Sequence, residues 1–103
     1  MQSLLEDTIV PRRKKLELDL GEQLTIAHVH DAKAAWAEVV SGTGDVTLNG
    51  AELGRVDTAG LQLILVLKAS LESNARAVNW DGVSPELKEA ASTINMTDAL
   101  GIE

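Results

Sequence analysis

Apolar and polar residues change their period several times along this chain, and each change marks an element. Leu16-Glu17-Leu18-Asp19-Leu20 alternates strictly, the pattern of a strand with one wet face. Gly21-Glu22 is a turn signal and Leu24-Thr25-Ile26 reads as a second short strand, so the pair predicts a hairpin. From about Ala27 to Val40 the period lengthens. Val29, Ala32, Trp36, Val39 and Val40 share one helical face, with Lys33 and Glu38 elsewhere. Ser41-Gly42-Thr43-Gly44 ends that helix. Asp45-Val46-Thr47-Leu48-Asn49 predicts a central strand, and Asn49-Gly50 a turn.

The densest apolar pattern follows Arg55-Val56-Asp57-Thr58-Ala59-Gly60. Leu61, Ile64, Leu65 and Leu71 recur at helical spacing, with Lys68 and Glu72 opposite. Leu63, Val66 and Leu67 widen the arc, which predicts a deeply buried helix. Leu65→Ala is therefore expected to cost about 2–5 kcal/mol. Ser73-Asn74-Ala75 closes the helix, Ala77-Val78-Asn79-Trp80 predicts a last strand, and Asp81-Gly82 a turn. Ser84-Pro85-Glu86-Leu87 is a helix start, with Ser84 as cap and Pro85 in the first position. Leu87, Ala90, Ala91 and Ile94 face inward in this reading, and Asn95-Met96 breaks the helix. Leu100 and Ile102 then dock a terminal turn on the core.

Strands alternating with helices imply an α/β domain with mostly parallel pairing. The expected hairpin adds a mixed edge to a sheet of four or five strands, with helices packed against it. Residues 1–15 are set apart as an N-terminal arm or edge segment, and residues 16–103 form the domain. Leu4, Leu5, Ile9 and Val10 suit a short strand or a covering arm, and Pro11 ends it.

Composition narrows the function. The 103 residues suffice for one core, and 45% of them are hydrophobic. The net charge of −7 argues against nucleic acid. Arg12-Arg13-Lys14-Lys15 lacks interleaved aromatics and reads as a solvated turn. With no cysteine there is no thiolate chemistry. No apolar run reaches the roughly 20 residues of a membrane span, and Met1 to Val10 lacks a basic leader, so a cytoplasmic location is expected. His28 and His30 have no further His or Cys to complete a metal site. They read as exposed side chains near a helix start. No nucleophile, base and orienting group converge, so catalysis is not expected and no cofactor is implied.

Asp57-Thr58 combines a helix cap with the free amides and positive dipole end of a first helical turn. In an open α/β sheet such a loop lies beyond the carboxyl ends of strands, where functional loops gather. Asp57-Thr58-Ala59-Gly60-Leu61, after Val46-Thr47-Leu48-Asn49 and before a Leu/Ile-rich helix, resembles the signature of STAS domains, the anti-sigma-factor-antagonist modules. The resemblance runs from about Leu16 to the C-terminus and includes Val78-Asn79-Trp80-Asp81-Gly82-Val83. It departs at Asn49, where members commonly carry Asp.

The resemblance implies a bacterial, non-enzymatic regulatory module that binds a partner through Asp57, Thr58, Ala59, Gly60 and Leu61. In one version the partner is an anti-sigma factor or a related Ser/Thr switch kinase, and phosphorylation in the loop controls docking. Phosphorylated members usually carry two hydroxyl residues between the Asp and the Gly. The second position here is Ala59, which leaves Thr58 as the candidate acceptor. In another version the domain resembles the small STAS subunit of ABC-type lipid-asymmetry transporters, docking on the cytoplasmic ATPase subunit. A third places it beside a chemotaxis or receptor array. A homodimer through the first strand is a further option, because an edge strand can pair with its own copy.

Overall fold

The computed structural model describes residues 15–102. The arm expected over residues 1–15 therefore lies, but for Lys15, outside the described residues, as does Arg12-Arg13-Lys14. Among the described residues the elements run β1 (Lys15–Asp19), β2 (Gln23–Leu24), α1 (Val29–Ser41), β3 (Asp45–Gly50), β4 (Arg55–Val56), α2 (Thr58–Ser73), β5 (Val78–Val83), α3 (Pro85–Thr93) and α4 (Thr97–Leu100). The fold is α/β, with parallel strands and helices packed against them.

The main sheet has the order β1-β3-β5, with β3 central, and both pairings are parallel. Leu16 lies beside Val46 and Leu18 beside Leu48, which in turn lies beside Trp80. These rows form the core face. Val46 and Leu48 are fully buried. Glu17, Asp19, Asn79 and Asp81 point the other way and are exposed. Parallel sheets usually bury both faces. This one keeps a hydrated polar back, as the strict alternation in β1 requires.

The expected hairpin does not form. β2 pairs with β4 in a separate two-stranded parallel ladder, Gln23 beside Arg55 and Leu24 beside Val56. The chain leaves β1 at Gly21, whose φ of +81° suits a glycine, and the Asp19 carboxylate accepts the Gly21 amide at 2.9 Å. The Glu22 carbonyl then accepts the amides of Gly54 and Arg55, which aligns β2 with β4 and not with β1. Leu24 is drawn into the core at 1% exposure, and no third strand residue follows. The five strands are thus divided between two ladders, and no antiparallel pair occurs among the described residues.

The Asp81-Gly82 turn is also corrected. The strand runs through it to Val83, and the register slips by one residue between Leu48 and Gly50. Gly82, at φ +99°, supplies the extra residue of a β-bulge.

α2 packs against α1, α3, α4, β2, β4 and β5. Its buried side chains are Leu61, Ile64, Leu67 and Leu71. Burying each is worth roughly 1.5–3 kcal/mol. The apolar arc is nevertheless wider than the buried one. Leu63 and Leu65 are half-buried and Val66 stays 63% exposed. α1 buries Trp36 and contacts α2 and β1.

The C-terminal elements follow the expected chemistry. Ser84 caps α3, accepting the Leu87 amide at 3.0 Å and donating to the Leu53 carbonyl. Asn95, at φ +58°, ends the helix region. The Trp80 indole donates to the Leu100 carbonyl at 2.9 Å, and Leu100 and Ile102 are buried.

Candidate functional site

The loop after β4 is built from one carboxylate. Asp57 has an extended backbone and caps α2. Its Oδ1 accepts the Gly60 amide at 3.0 Å, and its Oδ2 accepts the Ile26 amide at 3.0 Å. The first bond satisfies a free amide of the helix start. The second crosses 31 residues of sequence and ties the β2–α1 connection to the loop. That connection is itself held locally. The His28 Nδ1 accepts the Thr25 amide at 3.2 Å and lies 2.9 Å from the Thr25 hydroxyl. His28 is half-buried in this turn, which corrects its reading as solvent-exposed, whereas His30 is exposed. No group of three or more His, Cys, Asp or Glu suited to a metal occurs among the described residues.

The amides of Ile26 and then Gly60 hold the Asp57 carboxyl below the ordinary aspartate range, since they bond the charged form. A depressed folded-state value gives stability that is full above the unfolded value and is lost as pH falls through the folded one. Asp57→Asn should therefore melt below the parent at neutral pH. The gap should close on acidification below about pH 4, the ordinary aspartate value. Thermal melts of both chains between neutral and acidic pH measure it, and a gap independent of pH would contradict it.

Gly60 is buried against the β2 backbone. A Cβ there would overlap the Leu24 carbonyl oxygen and lie 2.9 Å from its carbon and 3.1 Å from the Leu24 Cγ. The close approach at this glycine is thus to the chain's own backbone. It lets the first turn of α2 press on β2.

The five sequence-predicted site residues separate by exposure. Leu61 is 1% exposed and Gly60 is buried, so both support the loop from beneath. Asp57 and Ala59 are half-buried. Thr58 is exposed at the first residue of α2. Gln62 and Val66 follow it at four-residue steps and are exposed too, so the three line one stripe of the helix. Ile26, whose amide Asp57 holds, is 69% exposed. Ile26 and Val66 are the exposed large hydrophobic residues of the described chain. The sequence reading placed Ile26 in a strand and Val66 in the core. The four-residue spacing Thr58-Gln62-Val66 was the signal that could have found the stripe.

Trp36, Ala37, Val40, Leu63, Val66 and Leu67 line a shallow apolar groove of about 300 Å³ between α1 and α2. A second cleft, of about 550 Å³, lies at the far end of α2 and is lined by 40–45 and 74–76. Among the described residues no helix is long and apolar enough to cross a membrane.

A one-sided parallel sheet, with a capped loop and exposed threonine at the mouth of its most buried helix, defines a STAS-type domain. The chain belongs to the STAS family: the family model described as "Mlab, STAS domain" matches residues 10–102. The crystal structure of a sulfate transporter family protein from Wolinella succinogenes superposes with a TM-score of 0.70 at 16% sequence identity. The alignment covers 94% of this chain and 79% of that one, and the likeness is one of fold. No curated protein matches the sequence.

Proposed function

We propose that this domain is a non-enzymatic protein-interaction module that docks a partner through the Asp57–Leu61 loop and the following stripe of α2. The observation that carries it is an exposed Thr58 at the start of a buried helix, with the exposed Ile26 tied to the same loop through Asp57 and the exposed Val66 about two turns further along α2. Large apolar side chains left in water beside a rigidly capped loop suit a contact surface. The loop's geometry favours regulation by charge. A phosphate on Thr58 would add up to about two negative charges at the positive end of the α2 dipole. The partner of this switched version is an anti-sigma factor or Ser/Thr switch kinase of the kind that STAS antagonists bind.

A second reading has its own support. Ala59 occupies the position where phosphorylated members usually carry their acceptor hydroxyl. That residue suits a static contact, as in the STAS subunit of an ABC-type phospholipid transporter bound to its ATPase. Both versions place the domain in a bacterial cytoplasm and use the same surface.

Thr58→Glu should weaken binding of the partner by at least about tenfold, equivalent to 1.4 kcal/mol. Thr58→Ala should weaken it less, because it removes a hydroxyl without adding charge. Affinity measured against a transporter ATPase and against a switch kinase separates the two versions by which protein is held. Phosphate found on Thr58 by mass spectrometry favours the switch. Unchanged affinity in Thr58→Glu would remove the loop from the interface.

A further inference from the structure

At the end of α2 remote from Thr58 lies a buried arginine that no role above uses. The 16 residues of the helix separate the two places by about 24 Å. Arg76 is 6% exposed. Its Nε donates to the Gly44 carbonyl at 2.8 Å, and its Nη1 donates to the carbonyls of Val39 and Val40 at 2.8 and 3.1 Å. The guanidinium thereby caps the C-terminus of α1, where a positive charge is favoured. Its Nη2 is buried with no hydrogen-bond partner. Native proteins rarely leave such a group unpaired, and a charged donor is the costliest kind to leave so.

Arg76 is one of the residues that line the 550 Å³ cleft, with Gly42, Thr43, Gly44, Asp45 and Asn74, and its Nη2 is covered just behind that wall. Gly42 stands over it. A Cβ on Gly42 would lie 3.4 and 3.6 Å from the carbonyl oxygens of Glu38 and Val39 and 3.9 Å from Nη2, so a side chain there would fill the space beside the donor. The Gly42 backbone is extended, at φ −86°, and needs no glycine for its own conformation. The carbonyls bonded to Arg76 carry no net charge. The site therefore holds a cation, two free hydrogens and a cleft, the requirements for a charge-assisted bond to an oxyanion. Asp45 lines the same cleft and gives one oxygen to the Ala77 amide at 3.2 Å. Its carboxylate and the negative end of α1 disfavour a dianion beside them.

We propose that the cleft between the α1–β3 and α2–β5 connections is a binding site for the carboxylate of a small acid, held by the Arg76 Nη2 beneath Gly42. Binding moves the Gly42–Gly44 segment slightly, since Nη2 is covered without the ligand. The site lies apart from the partner-docking loop, so its occupancy and partner binding are separate readouts.

The test is a titration of the full ¹⁵N-labelled chain with acetate, chloride being exchanged to hold ionic strength. The Arg76 side-chain N–H and the amides of Gly42, Thr43 and Gly44 should shift together and saturate, with a dissociation constant of order millimolar. Gly42→Ala should weaken that binding about tenfold, or 1.4 kcal/mol, while the fold is kept. Arg76→Met should abolish it, with Gly42→Ala as the decisive variant where Arg76→Met unfolds. Shifts that never saturate, or that Gly42→Ala leaves unchanged, would overturn the site. Tighter binding of inorganic phosphate than of acetate would overturn its assignment to carboxylates.

Discussion

Gly60→Ala should destabilise the domain by about 3 kcal/mol or more, at or beyond the upper end of ordinary overpacking costs. The added methyl meets a backbone carbonyl, that of Leu24, and a carbonyl cannot rotate away as a side-chain tip can. Relief requires β2 to part from the start of α2. That movement strains the Ile26–Asp57 bond and the two rungs between β2 and β4 together. Alanine otherwise favours a helix over glycine by about 1 kcal/mol, so the steric term must overcome a gain in propensity. Equivalent losses in domains of this size lower Tm by roughly 12–24 °C. Denaturant melts of parent and variant give the difference. Equal stability would mean that α2 does not press on β2 as described.

Ile64→Ala should cost about 2–5 kcal/mol, the range for deleting a fully buried aliphatic side chain. Ile64 is 0% exposed and belongs to the same core cluster as Leu48, Leu61 and Leu71. Leu65→Ala is the paired control. Leu65 is only half-buried, so less surface is uncovered and water fills the space left. Its cost should fall clearly below that of Ile64→Ala. Chemical denaturation of both variants ranks them, and the reverse order would put the other side of α2 in the core.

These two residues show how far the sequence could be read. The spacing Leu61, Ile64, Leu71 located the helix and its axis, because a 3.6-residue period is a local property. It did not locate the edge of the buried arc. Leu65 and Val66 are as apolar as Ile64, and only the neighbouring positions of α1 and the sheet decide which of them meets water. The caps were legible for the same local reason. Asp57 and Ser84 both accept the amide three residues on, as their type and position predict. Strand pairing was less legible. Gly21-Glu22 looks like a hairpin turn, but a turn signal does not say which strand the chain joins next. The Glu22 carbonyl bonds to Gly54 and Arg55, far along the chain, and that choice has no local sign. Within the candidate site, Asp57, Thr58 and Gly60 were visible in the sequence. Ile26 was hidden because the Asp57 bond that holds it spans 31 residues. Arg76 was hidden because its acceptors are backbone carbonyls, which leave no trace in residue types.

The two-rung ladder of β2 and β4 lies outside the three-strand sheet, yet it is pinned to the interior. Leu24, on one rung, is 1% exposed, and Gly60 at the start of α2 lies against its carbonyl. The Asp57 carboxylate adds a bond to the Ile26 amide just beyond the ladder. A surface anchored in this way meets a visitor already shaped, so little further ordering is needed when the two combine.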